Sequence, residues 1–187
     1  LSAKFADPFQ TKRQQENPHH QAECRRGGQN HSTLIKKSFK DHKVILEMPV
    51  FKTLAEVAEE TGTEAYVIGG FVRDLLLDRR VTDLDVVTVG DGIDFAQSVS
   101  KKLDNQPVKV FKTYGTAMLK YGDWDLEFVG ARKESYSRDS RKPQVEPGSL
   151  RDDQLRRDFS INALAISLNK VNLGELSAPF GGVEDLK

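Results

Sequence analysis

The stretch from Tyr66 to Val87, YVIGGFVRDLLLDRRVTDLDVV, places two carboxylates one residue apart in a run of strand-forming residues. In a strand, side chains at i and i+2 share a face. Asp83 and Asp85 therefore project side by side, while Leu84 and Val86 go to the other face. Two ionised carboxylates that close repel each other, so the arrangement is comfortable only with a cation between them. Oxygen ligands supplied by few protein donors suit Mg²⁺, which keeps waters and takes its other ligands from phosphates.

An Asp-x-Asp pair alone does not choose a chemistry, since glycosyltransferases that bind nucleotide sugars carry one too. The residues upstream narrow the choice. Gly69 and Gly70 follow an apolar strand, "EAYVI", and precede a short helix, "FVRDLLLD". Without Cβ atoms the backbone there can approach a phosphate closely, and a helix start adds free N–H groups. Arg73 lies in the first turn of that helix, where its planar donor fork can reach the same phosphates. The strand "WDLEFVG" offers a third acid, Asp125 or Glu127, again two residues apart. In "RRDFSINALA", Arg157 can bind phosphate and Asp158 a ribose hydroxyl or a partner arginine. Asn162, in an apolar run, must find a partner for its amide.

The remaining pattern is that of one α+β unit. "MPVFKTLAEVAEETG" has Phe51, Leu54, Val57 and Ala58 at helical spacing, with Pro49 at its start and Gly62 at its end. "VTDLDVVTV", "PVKVFKT", "TAMLKY" and "WDLEFVG" read as strands. "GIDFAQSVSKKL" reads as a helix with Ile93, Ala96 or Gln97, and Val99 or Ser100 facing inward. "ESYSRDSRKPQVEPG" is a polar loop, and helix resumes near "RDDQLRRDFSINAL". A mixed sheet with helices on one face is the natural packing. Residues 1–41 are polar and without period, too poor in aliphatics to offset their ordering entropy, and read as a disordered or loosely ordered tail. The domain is expected over 42–187. Lys plus Arg and Asp plus Glu both number 28, for a net charge of zero, so any affinity for nucleic acid rests on local clustering. A lone cysteine, Cys24, excludes an internal disulfide, and no finger spacing suggests zinc. No apolar run approaches the ~20 residues that span a bilayer, and no signal peptide is visible. A soluble, cytoplasmic protein with no membrane partner is expected.

From about Pro49 to Lys187, the motifs "GGFVRDLLL", "DLDVV", "KTYGTAMLKY", "LEFVGAR", "RRDFSINALA" and "PFGGVEDL" occur in an order that resembles the catalytic head of class II tRNA nucleotidyltransferases (CCA-adding enzymes) and bacterial poly(A) polymerases. The resemblance implies a DNA polymerase β-like fold, with a mixed, mainly antiparallel sheet and helices packed on one side. It implies that Asp83 and Asp85 hold catalytic Mg²⁺ and that Glu127 is the third carboxylate. It implies that Gly70 and Arg73 contact the triphosphate, and that Arg157 and Asp158 contact the incoming nucleotide, mainly its sugar. Transfer of CMP or AMP from CTP or ATP to a tRNA 3′ end, with release of pyrophosphate by a two-metal mechanism, is the expected activity. The segment 133–149 corresponds to a flexible loop that helps switch from C to A addition. Two features depart from the family. Ala178 stands where an acid usually precedes "PFGG", and the neck, body and tail, with their base-reading Glu-Asp-x-x-Arg motif, are not found in these 187 residues. The head motifs hardly separate CCA addition from poly(A), C-only or A-only addition. The missing neck also raises the alternative of a non-catalytic nucleotide- or RNA-binding fragment.

Overall fold

A single apolar stripe and its two stops define the first long helix. The computed structural model describes residues 42–135 and 144–187. The tail expected over 1–41 and the middle of the loop expected over 133–149 lie outside the described residues. Helix α1 (Pro49–Thr61) starts with proline in its first turn and ends on Gly62 in the left-handed region, φ 64°. The N–H of Thr63 reaches Ala58 O and that of Gly62 reaches Glu59 O, which satisfies two terminal carbonyls in a Schellman turn. Phe51, Leu54, Val57 and Ala58 are buried as the spacing predicts, joined by Val50.

Nine strands follow in chain order. They are β1 (Ala65–Ile68), β2 (Asp83–Thr88), β3 (Val108–Phe111), β4 (Thr116–Tyr121), β5 (Trp124–Gly130), β6 (Arg132–Ser135), β7 (Gln144–Pro147), β8 (Ala165–Ser167) and β9 (Leu176–Ser177). Seven form one sheet in the order β3-β4-β5-β2-β1-β8-β9. Only β2 and β5 run parallel; every other neighbour in this sheet is antiparallel. Helices α2 (Gly70–Leu76) and α3 (Gly92–Lys102) complete the main α+β layer with α1. Leu84, Val86, Leu126 and Phe128 are fully buried in the core shared with Phe51, Leu54, Phe95 and Val99. Period-2 alternation therefore turns Asp83, Asp85, Asp125 and Glu127 to the opposite face.

Three local expectations need correction. Helix α3 buries Phe95, which the expected inward set leaves out, beside Ala96, Val99 and Ser100, while Ile93 is half-buried and packs against the same core. Its rotation is fixed by Gly92, where a Cβ would lie 2.7 Å from the Val129 carbonyl carbon. That contact brings positions 92, 95, 96 and 99 to the sheet and moves Ile93 to the margin. The polar segment expected as a loop is strand at both ends, because β6 pairs antiparallel with β7 from Arg132↔Pro147 to Ser135↔Gln144. Finally, helix α4 (Leu150–Leu155) stops at Arg156, and Arg157 and Asp158 lie beyond it. Ser149 starts α4 with a reciprocal capping box to Asp152. At the other end, Arg156 and Arg157 both fold back onto Asp153, and Phe159 adopts an extended backbone.

Candidate active site

The parallel pairing of β2 and β5 sets the acidic face. Asp85 is the register partner of Glu127, and Asp83 that of Asp125. Register partners on adjacent strands share a face at a strand spacing of about 4.8 Å. Asp125 is engaged by Lys120, at 3.3 Å, whereas Glu127 stands beside Asp85. Burial raises the Asp85 carboxyl above its usual range, with Glu127 and Asp83 adding to the shift and Arg157 opposing it. An oxygen-only set of acids whose charge Arg157 only partly offsets fits a hard divalent cation. Among the described residues, no three His, Cys, Asp or Glu side chains form a metal-binding group by themselves.

Gly69 brings the backbone against this face. Its φ of 78° and ψ of −136° belong to a region open essentially to glycine. A Cβ there would lie 3.1 Å from Arg157 Nη1 and 3.4 Å from Asp85 Oδ2. Gly69, Asp85 and Arg157 therefore converge on one point. Gly70 is under no such constraint, since its Cβ would make only ordinary contact with Arg73, at 3.6 Å. Gly69→Ala is expected to destabilise the fold by about 1–3 kcal/mol through backbone strain. The same change should weaken ATP binding, because the added methyl fills the gap between Arg157 and Asp85. Urea unfolding and equilibrium dialysis with ATP would check the two effects, and an unperturbed variant would show that the conformation is not required.

Arg73 is not the free fork that the sequence suggests. Its Nε and Nη2 bind the two carboxylate oxygens of Asp74, at 3.0 and 2.7 Å, and Nη1 donates to Asn162 Oδ1 at 2.8 Å. The Asp74 carboxyl is held below its usual range by this guanidinium. Asn162 finds its partner here, half-buried, and its side-chain oxygen is engaged by Arg73. The seven-residue α2 is also too short for its dipole to dominate, which leaves close backbone approach as the feature that the glycines provide.

Asp153 is a site residue that the motif reading misses. It is fully buried, with Oδ1 accepting from Arg156 Nε at 2.9 Å and Oδ2 from Arg157 Nη2 at 2.9 Å. One carboxylate thus orients both guanidiniums, and Arg157 Nη1 also donates to Asn162 O at 3.3 Å. The i+3 and i+4 spacing of the two arginines from Asp153 is visible in the sequence and is the signal that could have found it. Asp158 is exposed beside this cluster. Asp85, Glu127 and Arg157 line an open cleft of about 570 Å³ together with Phe111, Tyr114 and Met118.

Residues 65–187 match the family described as the Poly A polymerase head domain. Over 123 residues the chain is 47% identical to the A-adding tRNA nucleotidyltransferase of Aquifex aeolicus, a match covering 66% of this chain and 15% of that protein. Over 145 residues it is 40% identical to the CCA-adding enzyme of Lactobacillus helveticus, covering 76% of this chain and 33% of that protein. A solved tRNA nucleotidyltransferase, complexed with a primer tRNA and an incoming ATP analogue, superposes with a TM-score of 0.62 at 42% identity. That likeness covers 71% of this chain and 36% of the other. The chain spans only 15% and 33% of the lengths of these two curated relatives.

Proposed function

Since the chain belongs to the poly(A) polymerase head-domain family of nucleotidyltransferases, we propose that it forms the catalytic head of a cytoplasmic, template-independent enzyme that adds CMP and AMP, from CTP and ATP, to tRNA 3′ ends. The observation that carries this reading is the register pairing of Asp85 with Glu127 at the point where Gly69 and Arg157 converge. Carboxylates, a cation and a close backbone are what a polyphosphate and its metal require together. No described helix is long and apolar enough to cross a membrane.

In this mechanism Asp83 and Asp85, with Glu127 as the third carboxylate beside them, would hold the Mg²⁺. Bound there, two such ions would supply acidification of the attacking 3′ hydroxyl and neutralisation of charge on the leaving pyrophosphate. The Gly69–Gly70 backbone admits the triphosphate close to the sheet. Arg157, held by Asp153, faces the phosphates from across Gly69, and the exposed Asp158 contacts the ribose. Arg73 reaches the leaving group from its clasp with Asp74 and Asn162. Little proton transfer is asked of any side chain.

The test is incubation with Mg²⁺, labelled ATP or CTP, and tRNA lacking its terminal CCA, followed by sequencing of the 3′ ends. Mg²⁺-dependent extension with release of pyrophosphate is expected. Nucleotide binding without extension would instead favour a non-catalytic head. Addition of A alone is a second reading, favoured by the 47% identity to an A-adding enzyme, and the same sequencing separates it from full CCA addition.

A further inference from the structure

Beside the acids, the cleft is lined by exposed apolar side chains of the β3–β4 hairpin. The β3–β4 hairpin leaves Phe111 41%, Tyr114 72% and Met118 36% exposed. Pairing aligns Met118 with the acids, because Lys109 faces Met118, Met118 faces Glu127, and Glu127 faces Asp85 in one row across the sheet. Two strand spacings, roughly 10 Å, separate Met118 from Asp85, which is the reach of one to two nucleotides. Phe111 lies two residues along from Lys109 and so projects on the same face. Lys109 and Lys112 are exposed, and neither makes an ion pair among the described residues. Lys120 differs, since Asp125 engages it.

Large exposed apolar side chains beside a catalytic cleft mark a surface that something covers. Aromatic faces alternating with cations fit a single strand of nucleic acid, whose bases stack while its phosphates meet the lysines. We infer that Phe111, Tyr114 and Met118 form a stacking platform for the unpaired 3′-terminal bases of the RNA primer, with Lys109 and Lys112 on the intervening phosphates. This rests on the nucleotidyl-transfer reading, and it assigns the primer rather than the incoming nucleotide to the β3–β4 side. Stacking there would point the terminal 3′ hydroxyl at Asp85 and Glu127. The platform is indifferent to base identity, because every base offers a π face.

The experiment titrates the protein with a short oligoribonucleotide carrying 2-aminopurine at its 3′ end and follows fluorescence quenching. ATP affinity is measured separately by equilibrium dialysis. Tyr114→Ala and Phe111→Ala should each weaken RNA binding about tenfold and reduce the quench. Tyr114→Trp should restore both, while ATP affinity stays unchanged throughout. Lys109→Ala should lower the salt slope of RNA binding by about one. Unchanged RNA affinity and quench in a Phe111→Ala, Tyr114→Ala, Met118→Ala variant would overturn the platform. So would a loss of ATP affinity with RNA affinity intact, which would give the surface to the incoming base. If the wild type extends RNA while the variants bind it normally, this inference alone fails; if the wild type neither binds nor extends RNA, the proposed function fails with it.

Discussion

Replacing Asp85 with asparagine is expected to abolish nucleotide incorporation and to raise the melting temperature of the metal-free protein at neutral pH. The two effects share one cause. Burial raises the Asp85 carboxyl above its usual range, and Glu127 and Asp83 push it further. For a carboxyl whose folded pKa is raised, the stabilising contribution is complete below the unfolded value and is lost as pH rises through the folded one. At pH 7 the ionised group thus works against the fold. Asparagine keeps the shape and removes the charge. Arg157 loses a neighbour but keeps its principal partner, Asp153. A gain of a few degrees is the scale seen when a functional site is relieved of its strain, and it should shrink as pH falls toward the ordinary carboxylate range. Incorporation should fall by about 10²- to 10³-fold or more, as when one group stabilising transition-state charge is lost. Mg²⁺ should stabilise the wild type by about 2.7 kcal/mol at a hundred times its Kd, and the variant by much less. Calorimetry at several pH values, with and without Mg²⁺, reads all of this. Equal stabilisation of both proteins by Mg²⁺, or incorporation that survives the substitution, would remove Asp85 from the metal site.

The structure also explains which parts of the site the sequence could carry. The α1 stripe was legible because its spacing, its proline and its terminal glycine all agree. The shared face of Asp83 and Asp85 was legible because strand periodicity is a local property. The choice between Asp125 and Glu127 was not local, and at the sequence level it came from the family resemblance. Physically it depends on the β2–β5 register, set across a helix and two intervening strands, and on Lys120, which engages Asp125. The clasp of Arg73 on Asp74 escaped notice because neighbours at i and i+1 on a helix do not ordinarily face each other. An arginine side chain is long enough to fold back, and Asn162 completes the hold from a segment 89 residues away. The end of α4 was misjudged because nothing in the string "RDDQLRRDF" breaks a helix. Beyond Arg156 the chain is extended at Phe159 and turns back, so that the buried Gln154 amide donates to Ala163 O at 2.7 Å, a contact that the string does not announce.

That carboxylate gives the largest expected loss of stability. Asp153→Ala should destabilise the protein by about 3–5 kcal/mol, the cost of leaving a buried ion-pair partner uncompensated. Here both guanidiniums lose their principal anion at once, Arg156 keeping only the longer contact with Glu134 at 3.8 Å: Asp153 is fully buried, while the Arg156 and Arg157 side chains are each 19% exposed and thus retain little water. Asp153→Asn should lose less, because the amide oxygen can still accept from one arginine, but it cannot neutralise either. Asp152 is the control, since its carboxylate serves the solvent-facing capping box of Ser149 and its loss strands no buried charge. Urea unfolding of the three variants ranks these costs. Kinetics separate packing from positioning. If Asp153 aims Arg157 at the phosphates, Asp153→Asn should raise the KM for ATP and CTP even at temperatures where the variant is fully folded. A loss of stability below about 1 kcal/mol in Asp153→Ala would mean that water reaches the pair and that the cluster is not a buried one. A normal KM in a folded Asp153→Asn protein would mean that Arg157 finds its place without it.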